Sequence, residues 1–127
     1  MNIEINKHNR LINGNKKELY RVESVYMLAC DNGLEDEFKD KYECRVGFIK
    51  AYIKHSEYMI RLFTCFSEEN YKKLKVIYSL IKNNAMDVEF YMSEQIKYDY
   101  YTEQEYIETM AGFKGELEAW SELENLN

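Results

Sequence analysis

Apolar residues recur every three or four positions along most of the chain, which is the spacing of an amphipathic α-helix. The clearest run predicts one long helix from about Leu34 to Phe66, with acidic residues in the first turn, where the helix dipole favours them. The members of this stripe are Phe38, Tyr42, Val46, Ile49, Ile53, Ile60 and Phe63.

A second apolar stripe runs beside the first one, and His55 belongs to the same series. Its other members are Phe48, Tyr52, Met59, Leu62 and Phe66. A helix that is apolar on two faces is central in a bundle or shared between copies. An unbroken helix of this length would span about 45–50 Å, whereas a compact chain of this size has a radius of gyration of about 14 Å. We therefore expect either a break near His55-Ser56 or a homodimer whose contact uses this second stripe.

The segments on either side of the long helix also favour helices. Between Lys16 and Cys30 the helical and strand periods compete, and we favour a helix that ends at Asn32-Gly33. Ser67-Glu68-Glu69 predicts the start of a helix that closes at Asn83-Asn84.

The last part of the chain predicts two further helical segments. Met86 to Tyr101 carries both an alternating and a helical pattern, and we take it as helix. Thr102 and Glu105 match the capping box, in which a hydroxyl and a carboxylate three residues later satisfy the first amides of a helix. This last helix should reach about Leu123.

The N-terminal segment is the part whose conformation the pattern leaves open. Asn13-Gly14 is a typical hairpin turn, but its flanks are polar, so residues 1–15 form either a small hairpin or an extended polar arm. No linker divides the chain. The sequence predicts one all-α domain over residues 1–127, a compact bundle of four to five helices.

The composition is that of a globular domain, and it also indicates the cellular compartment. Hydrophobic residues make up 46% of the chain and charged residues 31%, which argues against disorder. Three widely spaced cysteines predict reduced thiols rather than a disulfide framework. We find no signal peptide and no apolar run long enough to span a membrane, so we expect a cytoplasmic protein without membrane contact.

Catalytic and cofactor motifs are absent from the sequence. The two histidines, His8 and His55, have no second ligand at metal-binding spacing, and we interpret His55 as a core or interface residue. Five scattered glycines cannot build a phosphate-binding loop. We therefore expect no enzymatic activity, no cofactor and no metal site.

Charge is distributed unevenly along the chain. Residues 1–85 carry a net charge of +3, whereas residues 86–127 hold two lysines against eleven acidic residues, a net charge of −9. This acidic third also carries several tyrosines, which interfaces favour. We expect it to bind a basic protein surface and to avoid direct contact with nucleic acid. The predicted contact residues are Glu94, Asp99, Tyr100, Tyr101, Glu105, Glu108, Glu118 and Glu122.

In size and composition the chain resembles the small, acidic, tyrosine- and asparagine-rich accessory proteins of phages and other mobile elements, some of which inhibit host nucleases. This resemblance implies an inhibitor of the anti-CRISPR or anti-restriction kind, which occupies a basic groove of a nucleic-acid-handling defence protein. The alternative function is a helical homo-oligomer that binds a small ligand or acts as a scaffold.

Overall fold

The computed structural model describes residues 2–125, and these residues form an all-α bundle without strands, as predicted. Its elements are α1 (Asn2–Asp31), α2 (Glu35–Ser67), α3 (Tyr71–Ile96), α4 (Glu103–Glu118) and a short 3-10 helix (Ser121–Asn125). Cys30, Cys44 and Cys65 are not disulfide-bonded.

The long helix α2 is the centre of the bundle, and α1 and α3 pack along it. It continues through His55 and Ser56 without a break, so that part of the prediction is wrong. At about 1.5 Å per residue, α2 spans roughly 50 Å. It does not protrude, because α1 and α3 are nearly as long and cover it.

Three apolar clusters fill the space around α2. One joins the second half of α2 to the first half of α3 and the 3-10 helix, and Leu62 and Leu74 are fully buried in it. A second joins the first half of α2 to α3 and α4 through Phe48, Val88 and Phe113. The third lies between α1 and α2. Both apolar stripes of α2 are therefore used within one chain.

The N-terminal residues are helical, so the predicted arm or hairpin is wrong. Ile5, His8 and Ile12 continue the spacing of three and four, and His8 and Ile12 are buried against α2. The helical pattern is hidden in the sequence because His8, a polar residue, occupies one of its core positions. Asn13-Gly14 lies inside α1, on its exposed side, and makes no turn.

Three helices end in the same way, with one residue in the left-handed conformation. Gly33 has φ 73°, and its amide bonds to the carbonyl of Cys30, as the predicted end of the first helix requires. Glu69 (φ 57°) and Asp99 (φ 60°) play this part after α2 and α3. Residues other than glycine are strained in the left-handed conformation, because their Cβ comes close to the following carbonyl oxygen.

Two helix boundaries differ from the prediction. Asn70, and not Ser67, caps α3, because its side chain accepts a hydrogen bond from the Lys73 amide. Asn84 does not end that helix; it is buried, and its amide group donates to the Ala51 carbonyl at 2.9 Å. The helix therefore runs on to Ile96.

The last helix starts as predicted and ends earlier. The Thr102 hydroxyl accepts from the Glu105 amide and the Glu105 carboxylate accepts from the Thr102 amide, both at 3.1 Å, which confirms the capping box. α4 stops at Glu118, and Leu123 reaches the core from the following 3-10 helix.

Candidate functional site

The acidic contact residues predicted from the sequence fall into three groups in the structure. Glu105, Glu108 and Glu118 are exposed on α4, and Glu122 is exposed on the 3-10 helix. Glu122 therefore lies outside the helix that carries the other three. It borders a hollow beside Phe66 and Trp120.

Glu94 and Asp99 are occupied by local interactions at the end of α3. Glu94 is half-buried and accepts from the Lys97 ammonium at 2.9 Å. Asp99 provides the left-handed residue that ends the helix. Both residues therefore already have a structural role within their own chain.

Tyr100 and Tyr101 face a cation of their own chain. The Arg45 guanidinium carbon lies 5.0 Å from the Tyr100 ring centre and 5.8 Å from that of Tyr101, and the Lys41 ammonium lies 5.2 Å from the Tyr100 ring. Arg45 also donates to the Gln95 side-chain oxygen at 2.6 Å. These half-buried tyrosines fasten the α3–α4 connection to α2, and they are not part of the α4 surface.

Glu116 points into the bundle, whereas Glu108 and Glu118 of the same helix are exposed. One of its carboxylate oxygens lies 3.2 Å from His8 Nε2 and 3.9 Å from His55 Nε2. The other ring nitrogen of His8, Nδ1, lies 3.3 Å from Ser56 Oγ. Four polar residues from α1, α2 and α4 thus form one buried cluster, which we call the histidine cluster: His8, His55, Ser56 and Glu116.

Burial sets the charge state of the histidine cluster. His8, His55 and Ser56 are at most 1% exposed. Burial lowers the pKa of His55 to about 4, although the Glu116 carboxylate opposes this, so the imidazole is neutral at pH 7. Burial alone would raise the pKa of Glu116, but the hydrogen bond with His8 and the nearby imidazoles outweigh it and hold that pKa below its usual range. Among the described residues, neither ring nitrogen of His55 has a hydrogen-bond partner.

The order of Ser56, His8 and Glu116 is that of a hydrolase triad, but its burial does not suit catalysis. A nucleophile must reach a substrate carbonyl, and Ser56 is completely buried, with its hydroxyl against His8 of α1. The cluster instead ties three helices together through polar contacts. Within residues 2–125, no group of three or more His, Cys, Asp or Glu side chains is placed to hold a metal ion.

The stripe predicted to lie between copies is mostly core. Phe48, Met59 and Leu62 are at most 6% exposed and pack against residues of their own chain, so these three are core residues rather than contact residues. Tyr52 is half-buried between His55 and Phe113. Only Phe66 is exposed, next to Trp120.

The surface that keeps the predicted acidic character is the outer face of α4. We define this α4 face by Glu108, Gly112, Gly115 and Glu118, all of them exposed. A Cβ added at either glycine would meet nothing within 4 Å, so the helix backbone is open to close approach there. Gln104 donates to Glu108 at 2.9 Å, a neutral contact that leaves its charge in place.

Comparisons with protein-family models, with curated proteins and with solved structures find no match for this chain. No described helix is long and apolar enough to cross a membrane.

Proposed function

We propose that the protein is a non-enzymatic binding protein whose α4 face contacts a basic surface of another protein. The observation that carries this proposal is that the acidic third is only partly compensated by cations of the chain, one of which, Lys82, pairs with Glu124. Its two lysines are already engaged, Lys97 by Glu94 at 2.9 Å and Lys114 by Glu89 at 3.3 Å. Among residues 2–125, no cation pairs with Glu108 or Glu118.

The shape of the α4 face supports the same proposal. Gly112 and Gly115 lie between the two glutamates, and the space above them is open. A partner backbone could therefore approach α4 closely, with its cations reaching the glutamates on either side. Unpaired like charges on one face raise the electrostatic energy of the free chain, and a basic partner would lower it.

The partner class that we propose is a nucleic-acid-handling defence protein, such as a nuclease of the host. Grooves that bind phosphates are lined with Lys and Arg, and they are the strongly basic surfaces that an acidic helix can complement. By occupying such a groove, the chain would act as an inhibitor without chemistry of its own. The histidine cluster, which is buried, takes no part in this contact.

The test is a comparison of charge reversals on two sides of the bundle. Each variant and the parent are immobilised, exposed to host extract, and the retained proteins are identified by mass spectrometry. The variant Glu108→Lys with Glu118→Lys should fail to retain one protein that the parent retains. Association of that protein with the variant at low salt should be slower by about tenfold. Glu43→Lys with Glu57→Lys changes the charge equally at exposed positions of α2 and should retain that protein.

A steric variant separates the α4 face from a general charge effect. Gly115→Leu adds bulk in open space and keeps the charge, so the fold should be unaffected while binding weakens. Binding of the parent should also fall steeply between about 50 and 300 mM salt. If the α4 charge reversal and the α2 control bind equally well, the acidic face has no binding role and the proposal is wrong.

A further inference from the structure

A groove between α2 and α3 carries the opposite charge to the α4 face. It has a volume of about 560 Å³, within the range of ligand sites, and α4 contributes none of its lining residues. Val76, Ile77 and Leu80 of α3 make its apolar floor. We call it the α2–α3 groove.

The floor of the groove is apolar surface that the chain leaves uncovered. Val76 is 62% exposed and Leu80 is 38% exposed, whereas Leu74 and Ile81 on the core side of α3 are completely buried. Residues 76 and 80 are one turn apart, so α3 shows a second, outward apolar strip beside its core stripe. Inside a groove, such a strip favours contact with another apolar surface.

The rim of the groove is basic on both walls. Arg61 comes from α2, Lys72 and Lys73 come from α3, and no acidic residue lines the groove. Over residues 2–125, the structure gives these three side chains no acidic partner. Lys82, further along α3 and outside the groove, differs in being paired with Glu124.

We propose that the α2–α3 groove binds an amphipathic helix of a partner protein, with acidic residues along both edges of its apolar face. A groove between two antiparallel helices accepts a further helix by apolar anchors spaced three and four residues apart. Cations on both walls of the groove complement carboxylates on both edges of the bound helix. An amphiphile with one charged head group would instead need the cations at one end of the groove. A two-fold contact between copies would bring like cations together.

The experiment uses the full chain and a designed peptide pair. One fluorescein-labelled peptide of about 18 residues places leucines at helical spacing and glutamates on both flanks; its twin carries lysines instead of the glutamates. Fluorescence anisotropy should show that the acidic peptide binds at least about tenfold more tightly than the basic twin. The preference should shrink as salt is raised.

Matched variants locate the binding. Arg61→Glu with Lys72→Glu and Lys73→Glu should weaken binding of the acidic peptide by tenfold or more. The control Lys16→Glu with Lys17→Glu and Lys50→Glu makes the same charge change at exposed positions outside the groove and should have much less effect.

The apolar floor has its own control on the same helix. Val76→Ser with Leu80→Ser should weaken binding, whereas Met86→Ser, at a position that is 72% exposed and outside the groove, should not. Equal binding of the two peptides to Glu108→Lys with Glu118→Lys, in which the α4 face no longer attracts the basic twin, overturns the proposal, as does equal loss in the rim and control variants. So does a dimer of the parent chain that Val76→Ser dissociates, because the groove would then hold a second copy.

This inference is independent of the proposed function. Glu108→Lys with Glu118→Lys alters only the α4 face and should leave peptide binding at the groove unchanged. A failure of the peptide experiment therefore says nothing against the α4 face, and a failure of the extract experiment says nothing against the groove.

Discussion

At the scale of single residues, the histidine cluster is the point where most of the bundle meets. Three of its four members are buried completely or almost completely, and they join α1, α2 and α4. A neutral His55 already carries the cost of two buried ring nitrogens without hydrogen-bond partners, and a protonated one would cost far more, as a buried charge with a single carboxylate nearby. The stability of the fold should therefore depend on pH through this residue.

We predict that stability falls as the pH drops from about 6.5 to about 4. The pKa of His55 is about 4 in the folded chain and 6.5 in the unfolded chain, so below pH 6.5 the unfolded state binds a proton that the folded state rejects. The stabilisation is complete above pH 6.5 and decreases towards pH 4, by about 2–3 kcal/mol. The lowered pKa of Glu116 adds a further loss below its unfolded value of 4.5.

Urea denaturation at pH 7, 6, 5 and 4.5 measures this dependence. His55→Phe keeps a ring beside Phe113, whose centre lies 4.4 Å from that of His55, and removes the titration. The variant should lose most of the slope between pH 6.5 and 4.5. An unchanged slope in His55→Phe would mean that other groups cause the acid sensitivity.

At the scale of the elements, the helices are defined more by how they end than by how they begin. α2 and α3 both stop at a left-handed residue that is not glycine, Glu69 and Asp99 respectively. Each amide after that residue closes a hydrogen bond to the carbonyl five positions earlier, at 3.0 Å from Asn70 to Cys65 and at 3.2 Å from Tyr100 to Gln95. These ends direct the chain back along the bundle.

Glu69→Gly should stabilise the protein. Glycine removes the steric strain of φ 57°, roughly 1–2 kcal/mol, while its extra freedom in the unfolded chain costs part of that gain. The net increase in the free energy of unfolding should be about 0.5–1 kcal/mol, measurable by thermal or chemical denaturation. Glu68→Gly is the control: Glu68 has φ −87°, so no strain is relieved and the variant should be less stable. Equal effects of the two changes would contradict the strain argument.

At the scale of the whole molecule, the bundle is organised around α2, and it is completed from the two ends of the chain. The first half of α1 covers α2 through Ile5, His8 and Ile12. Near the C-terminus, Leu123 packs into the apolar cluster between α2 and α3. The histidine cluster joins both ends, since His8 contacts Glu116 across 108 positions of sequence. Removing either end should affect the whole fold.

Deletion of residues 2–15 provides a direct test. An arm could be removed with little effect, but this segment buries Ile12 and covers His55 and Ser56. Loss of these contacts should cost at least about 3–5 kcal/mol, or lower the Tm by on the order of 10–20 °C. Circular dichroism melting and the loss of the helical signal report the result. A deletion variant as stable as the parent would show that these residues do not belong to the core.

The features that can be predicted from the amino-acid sequence are local ones. The spacing of three and four predicts the long central helix and the all-α class, and Thr102 with Glu105 predicts the start of α4, because these signals involve neighbours within one or two turns. The net charge of the acidic third follows from composition alone. The α2–α3 groove has only a weak signal in the sequence, the apolar residue Val76 close to Leu74. This signal can be interpreted only once the structure shows that Leu74 is buried on the core side of α3 and Val76 is exposed.

Which side of each helix is covered depends instead on how the helices pack against one another. Met59 and Leu62 are core because α3 lies over them, and the same stripe would fit a contact between copies. Glu116 turns inward because His8, 108 positions earlier, offers it a hydrogen-bonding partner. Partners so far apart in sequence meet only after folding. A periodic pattern therefore predicts the helices, but the packing of those helices selects the core, the cluster and the free surfaces.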